Sequence, residues 1–131
     1  MRTVNEITEE ARHGVRVESN HGDDLSLDGV MNAVGRLNGV DRTLVSIRTS
    51  DGDILVGGGC GEYVVTMDFL DKVVNIVDPA RDVDDFTEVT VGGQVVDYPS
   101  IYVVPLRSVE LALREFLLGD GSKVPREVVQ K

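Results

Sequence analysis

The sequence predicts an α+β fold in which an antiparallel sheet is covered on one face by two helices. Two observations lead to this prediction. Short β-branched segments separated by turn residues fill the middle of the chain, and apolar residues show helical spacing in two stretches, one early and one late. The chain has 131 residues, of which 41% are hydrophobic and 27% charged. We therefore expect a single domain over residues 1–131, with its own core.

Both helices are predicted from the 3.6-residue spacing of apolar positions. The first covers residues 27–37, with Ser26 as its expected N-cap and Gly39 as the left-handed residue expected to end it. Its apolar face consists of Leu27, Val30, Met31, Val34 and Leu37. The second starts at residue 105 or 106 and runs to residue 118, with Gly119 as its expected end. Its apolar face consists of Val109, Ala112, Leu113, Phe116 and Leu117.

The strands are predicted from alternation and β-branched content. A short half-buried strand is expected where Val15 and Val17 alternate with charged residues, ending at the turn signals Asn20 and Gly22, while residues 3–8 are ambiguous. An antiparallel meander follows the first helix, with strands at residues 43–49, 53–56, 62–67 and 72–77. Turns separate these strands at residues 50–52, 57–61 and 68–71.

A separate hairpin is predicted after the meander. Residues 87–91 and 94–98 flank the pair Gly92-Gly93, and adjacent glycines supply the positive φ angles of a tight turn. One more strand is expected at residues 101–104. After the second helix and Gly121, a last strand at residues 124–129 is expected to return to the sheet.

The chain is strongly acidic. It carries 23 Asp and Glu against 13 Lys and Arg, a formal net charge of −10, and its pI is about 4.5. Binding to DNA, RNA or an anionic membrane depends on Lys and Arg, so we expect no nucleic-acid and no membrane partner. A basic protein is the partner that this charge favours.

Several features predict a cytoplasmic protein. The single cysteine, Cys60, cannot form an internal disulfide, which fits a reducing compartment. Residues 1–14 contain no apolar run that could serve as the core of a signal peptide. Nowhere do 18 apolar residues follow one another, as a membrane-spanning helix requires.

The sequence offers no constellation typical of an enzyme. The glycine-rich run at residues 57–61 precedes a strand pattern rather than a helix, so we interpret it as a flexible hairpin turn and not as a phosphate loop. Cys60 has no nearby base in the sequence, and His13 and His21 lack a third ligand at zinc spacing. We therefore expect no catalytic residue, no metal and no cofactor.

Carboxylates are the abundant functional group. Residues 41–100 contain 12 acidic and 4 basic residues, a net charge of −8 of the total −10. The densest segment contains Asp78, Asp82, Asp84, Asp85 and Glu88, whose spacing does not match the helix-loop-helix calcium pattern. A solvated loop that keeps the protein soluble is one interpretation, and a surface that steers and holds a basic partner is the other.

An interface of this kind usually has an exposed aromatic or Arg anchor. The candidates are Phe69, Phe86, Tyr63, Tyr98 and Tyr102. Phe86 stands out because it follows Asp84 and Asp85 directly. For a strand residue of this type, however, a side chain that faces the core is the more common outcome.

Two stretches resemble a known family. One is ILVGGG at residues 54–59 with GEYVV at 61–65. The other is VP at 104–105, ALREF at 112–116, Gly119, and VP at 124–125 before a final strand. Over residues 42–129, about two-thirds of the chain, the sequence resembles the first-numbered immunity-protein family of bacterial polymorphic toxin systems. Members of that family often carry a Trp in the final strand, and this chain has none.

The resemblance implies a compact α+β protein, not an enzyme, that neutralises a toxin, frequently a nucleic-acid deaminase, inside the producing cell. We expect an immunity protein that covers the active site or substrate channel of a cognate basic toxin domain with its acidic surface. The expected contact residues are Asp68, Asp71, Asp78, Asp82, Asp84, Asp85, Phe86 and Glu88. The alternative is a small-ligand-binding or regulatory α+β module that could form a homodimer.

Overall fold

The structure, a computed structural model, describes residues 2–119 and 124–131. The helices are α1 (Leu27–Gly35) and α2 (Leu106–Leu118). In chain order the strands are β1 (Val4–His13), β2 (Arg16–His21), β3 (Arg42–Thr49), β4 (Gly52–Gly59), β5 (Glu62–Phe69), β6 (Lys72–Ile76), β7 (Phe86–Val91), β8 (Gln94–Pro99) and β9 (Arg126–Gln130).

Seven strands form one antiparallel sheet in the order β2-β1-β3-β4-β5-β6-β9, and β7 and β8 form a separate two-stranded sheet. The register aligns the apolar residues of neighbouring strands on one face, because residues directly opposite each other in a sheet point to the same side. One such row runs from Val45 through Val56 to Val65. Both helices contribute to the core on this face. The α+β prediction, with an antiparallel sheet and two helices, is confirmed.

The core depends on the two periodicities read from the sequence. In α1, Val30 and Val34 are fully buried, and in α2, Val109, Leu113 and Phe116 turn inward in the same way. They meet the alternating inward residues of β3 to β6. Burying each large apolar side chain contributes about 1.5–3 kcal/mol to folding.

The helix ends follow the sequence with one exception. The Ser26 hydroxyl accepts a hydrogen bond from the Gly29 amide at 3.2 Å, which confirms the N-cap. Gly119 ends α2 with φ of +69°, also as predicted. Gly39, however, does not end α1, which stops at Gly35 with Arg36 as a right-handed C-cap. Gly39 is left-handed, with φ of +74°, but it belongs to the next turn.

The amino-terminal strands differ from the prediction. The ambiguous segment is part of a ten-residue strand, β1, which pairs with both β2 and β3. The strand predicted around Val15 and Val17 is not half-buried, because Val15 lies in the turn and all of β2 is exposed. It runs through Asn20 to His21, whereas a turn was expected there. The reason is position: β2 is an edge strand, and both of its faces lie in solvent.

The glycine run is not a flexible turn. Gly57, Gly58 and Gly59 belong to β4, and the turn itself consists of Cys60 and Gly61. A Cβ on Gly57 would lie 2.6 Å from a methyl carbon of Val91 in the hairpin. These glycines therefore permit close packing of other parts of the chain against β4.

Residues 101–104 do not form the predicted strand. A single 3₁₀ turn, Ser100–Tyr102, occupies the first half of this segment, because the Val103 amide donates back to the Ser100 carbonyl at 3.0 Å. Val104 alone pairs with Tyr63 as an isolated bridge. The predicted last strand is present as β9, and Gly121, expected before it, lies outside the described residues.

The β7–β8 hairpin is present as predicted, with φ of +60° at Gly92 and +76° at Gly93. Its inner side packs on the face of the large sheet opposite the helices, where Val89 is buried. The Gly93 amide donates to the Thr43 hydroxyl at 2.9 Å and fixes the hairpin tip on β3. Within the described ranges, neither helix has the length and apolar character needed to cross a bilayer.

Candidate functional site

The segment that connects β6 to the hairpin is the acidic loop, residues 78–85. Its carboxylates shape it through local hydrogen bonds, as Asp side chains commonly do in turns. Asp78 accepts from the Ala80 amide at 3.0 Å, Asp82 from the Asp84 amide at 2.9 Å, and Asp85 from the Phe86 amide at 3.0 Å. Each of these bonds uses only one carboxylate oxygen.

The acidic loop is held at both ends. At the start, the Asp78 amide donates to the Ile101 carbonyl at 2.7 Å. At the end, the Ser100 amide donates to the Asp85 carbonyl at 2.9 Å, and the hydroxyls of Ser100 and Thr87 lie 2.7 Å apart. The 3₁₀ turn thus anchors both ends of the loop, and the carboxylates of Asp82 and Asp84 lie between these two anchors.

Arg81 is the one base within the acidic loop. Its guanidinium lies 3.9 Å from the carboxylate of Asp78 and 3.9 Å from that of Glu62, and it is 3.4 Å from the Thr87 hydroxyl. A single positive charge is therefore shared by two carboxylates.

The remaining acids of this region lack such a partner. Among the described residues, no Lys or Arg nitrogen lies within 4.0 Å of the carboxylates of Asp82, Asp84, Asp85, Glu88 or Asp97. Glu88 and Asp97 also face each other directly across the hairpin. Like charges in such a position repel each other, so the isolated protein holds an unbalanced negative field here.

Phe86 lies next to these carboxylates and is 63% exposed. The expectation that it faces the core is wrong. The physical reason is the alternation of β7: Val89 points inward to the sheet, so Phe86 and Glu88 share the outer side of the hairpin. An exposed phenyl ring that directly follows Asp85 and shares a strand face with Glu88 is therefore a feature of this end of the molecule.

The other aromatic candidates are tied into the structure. Tyr63 is buried, and the ring of Phe69 packs 5.4 Å from that of Phe116. The Tyr102 hydroxyl donates to Glu127 at 2.8 Å, and this hydrogen bond raises the pKa of Tyr102. Tyr98 is half-buried, and burial raises its pKa.

The structure separates the predicted contact residues into two groups. The acidic loop, Phe86 and Glu88 form one group, while Asp68 and Asp71 lie at the opposite end of β6, roughly 16 Å away at the rise of a strand. Asp68 there accepts a hydrogen bond from the Lys131 ammonium at 2.6 Å. The predicted patch is thus continuous only at the hairpin end.

One member of the site was missed by the sequence analysis. Glu62 joins the acidic loop through Arg81, although 19 positions separate them in the chain. The signal that could have found it is the antiparallel pairing of β5 with β6, which places the start of β5 beside the end of β6.

The structure also places Cys60 and the two histidines, His13 and His21. Cys60 is exposed in the β4–β5 turn, and its thiol lies 2.9 Å from the Asn38 carbonyl. His13 lies 3.1 Å from Glu18, and His21 lies 3.4 Å from the Thr8 hydroxyl. In the part of the chain that the structure describes, no three His, Cys, Asp or Glu side chains form a group suited to a metal ion.

Fold and site together define an antiparallel α+β protein with an acidic loop anchored at both ends and an exposed aromatic ring beside it. No family model, curated protein or solved structure matches the chain.

Proposed function

We propose that this protein is a cytoplasmic immunity protein that binds a cognate bacterial toxin domain, a nucleic-acid deaminase, and covers its active site or substrate channel. The observation that carries the proposal is the exposed ring of Phe86 near the carboxylates of Asp82, Asp84, Asp85 and Glu88. No Lys or Arg among the described residues forms an ion pair with these carboxylates. The sequence resemblance at residues 54–65 and 104–125 supports the same function. The protein acts by binding and not by catalysis.

Electrostatics supports this choice of partner. A domain that acts on nucleic acid presents a basic channel to the phosphate backbone. The carboxylates of Asp82, Asp84 and Asp85 can take the place of the phosphates in such a channel. Charge complementarity of this kind speeds association and selects the partner, and salt weakens it.

The exposed ring supports a specific contact rather than a general attraction. Charged groups at the rim of an interface contribute little to affinity, whereas a central aromatic side chain in a pocket often contributes most of it. The ring of Phe86 supplies the apolar surface that such a contact needs. The carboxylates near it disfavour partners of the wrong charge. The acidic loop is held at both ends, so little order has to be gained on binding.

The test is titration calorimetry of this protein against the toxin domain encoded immediately upstream, at low and at high salt. Tight binding that weakens with salt is the expected result. A second measurement, the activity of the toxin domain on its nucleic-acid substrate, should fall to background at one equivalent. Absence of binding at both salt concentrations would overturn the proposal.

A second candidate is a small-ligand-binding module, and one observation favours it. A groove of about 400 Å³ lies between the hairpin and the open face of the sheet, with Leu44, Leu55, Val91 and Tyr98 among its walls. This volume is within the range of small-molecule sites. A thermal-shift screen separates the two candidates, because a ligand that fills the groove raises the melting temperature without any partner protein.

A further inference from the structure

The two edges of the large sheet are β2 and β9, and within the described residues no strand lies against the outer side of either. Edge strands are normally protected by a bulge, a proline or an inward-pointing charge. The β6–β9 pairing shows no register shift, and no proline lies within Arg126–Gln130. Arg126 lies on the helix side of the sheet, opposite Ile76, but its charge is already paired with the Glu115 carboxylate of α2. The outer side of β9 is therefore a regular edge that can accept another strand.

The register shows which backbone groups of β9 point outward. The Val77 amide donates to the Pro125 carbonyl at 3.0 Å, and the Lys131 amide donates to the Asp71 carbonyl at 3.0 Å. Bonded pairs in an antiparallel ladder recur at every second residue. The amides and carbonyls of residues 127 and 129 therefore point to β6, and those of Arg126, Val128 and Gln130 point away from the sheet.

We propose that β9 pairs with β9 of a second copy of this chain, antiparallel and around a two-fold axis at Val128. In this register Val128 lies opposite Val128 of the second copy, and Arg126 lies opposite Gln130. Each of the three residues whose backbone groups point outward then lies opposite such a residue of the second copy. Each of these three pairs exchanges two hydrogen bonds, so the interface has six backbone hydrogen bonds. The two sheets join into one continuous sheet across the axis.

The side chains fit the same register. Val128 is 45% exposed and Val129 is 48% exposed, so both present apolar surface at this edge. Val128 pairs with Val74 and hence lies on the helix side of the sheet, where it meets its own copy. On the other side, Glu127 lies opposite Val129 of the second copy. Like charges directly opposite each other would destabilise the pairing, and this register contains no such pair.

The other edge fits a second copy less well. The Gly22 amide donates to the Ile7 carbonyl at 2.9 Å, so the outward residues of β2 are Val17, Ser19 and His21. A two-fold axis there places serine against serine and valine against histidine, which buries less apolar surface. Two-fold pairing requires a surface that is complementary to itself, and β9 meets this requirement better.

The first test is the mass of the chain in solution by sedimentation equilibrium, from micromolar to millimolar concentration. We expect the mass to rise from 14.2 kDa towards twice that value. The Val128 amide should become protected from hydrogen exchange over the same concentration range, whereas the Ser19 amide should not. A chain that stays monomeric throughout, or one that dimerises without protection at Val128, overturns the proposal.

A charge-swap experiment tests the register itself. Val128→Lys and Val128→Glu each place like charges across the axis, so each variant alone should stay monomeric. Mixed in equal amounts, they should form a heterodimer, because Lys then faces Glu. The matched controls Ser19→Lys and Ser19→Glu should dimerise as the unchanged chain does. Dimerisation of each Val128 variant alone, with its fold intact by circular dichroism, contradicts the register.

The dimer proposal does not depend on the proposed function. The β9 edge and the acidic loop use different residues, and the sedimentation experiment needs no toxin domain. A monomer that binds the toxin overturns only the dimer, and a dimer that binds no toxin overturns only the immunity function.

Discussion

At the scale of single residues, exposure distinguishes Phe86 from the other aromatic side chains of the protein. Tyr63 and Phe116 are buried and contribute to the core, whereas Phe86 leaves most of its ring in solvent. A single exposed apolar side chain is common at a protein surface and needs no partner. Phe86 differs because it directly follows the acidic loop, the surface proposed to bind the toxin domain. We therefore expect Phe86 to contribute to binding affinity and not to the free energy of unfolding.

Phe86→Ala tests this distinction. We expect the free energy of unfolding to change by less than about 0.5 kcal/mol, because the ring buries little surface in the folded chain. Affinity for the toxin domain should fall about tenfold or more, as for a central aromatic contact. Leu70→Ala is the matched control: Leu70 is 96% exposed in the β5–β6 turn, and its removal should leave both values unchanged. Equal affinities of the two variants would exclude Phe86 from the interface.

Asn38 is a second residue with a measurable local role. Its side-chain oxygen accepts from the amides of Val40, Asp41 and Arg42 at 2.9–3.1 Å, and its amide donates to the Asp41 carboxylate at 2.6 Å. The last of these bonds lowers the pKa of Asp41 below its ordinary value of 3.8. This turn, and not Gly39 alone, organises the passage from α1 to β3.

Asn38→Ala should raise the pKa of Asp41 towards 3.8, measured by NMR titration of the carboxyl carbon. Because the folded pKa is the lower one, the carboxylate favours the folded state above the unfolded pKa. This contribution is lost as the pH falls through the folded pKa. Asp24 is the internal control, since hydrogen bonds from Ser26 lower its pKa independently. An unchanged pKa of Asp41 would show that Asn38 is not the cause.

At the scale of elements, the position of the hairpin depends on the absence of a Cβ at Gly57. Val91 packs where a Cβ would lie, at 2.6 Å from its Cγ1 atom. The hairpin carries Phe86 and Glu88, and it is continuous with the acidic loop. The close approach of two strands thus decides where the candidate site stands relative to the sheet.

Gly57→Ala should destabilise the fold by about 1–3 kcal/mol through overpacking, as measured by urea unfolding. Adding Val91→Ala should recover part of this loss, because the atoms in conflict are then removed, so the two changes should be non-additive. Gly35→Ala is the control: nothing lies within 4 Å of its Cβ position, and this change in α1 should be neutral or stabilising. Strict additivity at residues 57 and 91 would contradict the contact.

Sequence patterns predicted the elements where one physical rule acts alone. Apolar spacing and end residues gave the correct start of α1 at Ser26 and the correct end of α2 at Gly119. Adjacent glycines gave the hairpin turn. The predictions were wrong at residues 57–59 and 101–104, because close packing between strands and a crossing between layers override local propensity there.

At the scale of the whole molecule, the net charge of −10 is unevenly distributed. Asp51 and Asp68 are paired with Arg2 and Lys131 at the far end of the sheet. The acids of the hairpin end share only Arg81 among the described cations. A basic partner is therefore attracted to one end of the molecule, which orients it before contact.

The triple variant Asp82→Asn, Asp84→Asn, Asp85→Asn should slow association with the toxin domain roughly tenfold at low salt, with a smaller change in dissociation. Stopped-flow measurement at two salt concentrations checks this, and the difference should vanish at high salt. The control Asp23→Asn, Asp28→Asn, Glu110→Gln removes the same charge from exposed sites outside the expected contact residues. If both triple variants slow association equally, total charge and not the acidic loop steers the partner.

The candidate site was only partly visible in the sequence. Asp82, Asp84 and Asp85 are neighbours in the chain, so their cluster could be predicted from spacing. Asp68 and Asp71 were grouped with them because all of these residues belong to the acidic stretch 41–100, but β6 separates the two groups by its full length. Glu62 is distant in the chain and joins the site only through pairing of β5 with β6.

The sequence by itself determined the α+β class, the two helices, the hairpin and the excess of negative charge, because each follows from local spacing or from a simple count. Only the tertiary structure decided that Phe86 is exposed, that the hairpin packs against the glycines of β4, and that no strand of the described residues pairs with the outer side of β9. The physical reason is that exposure and pairing depend on which strands become neighbours. That choice is made by packing between residues distant in the chain.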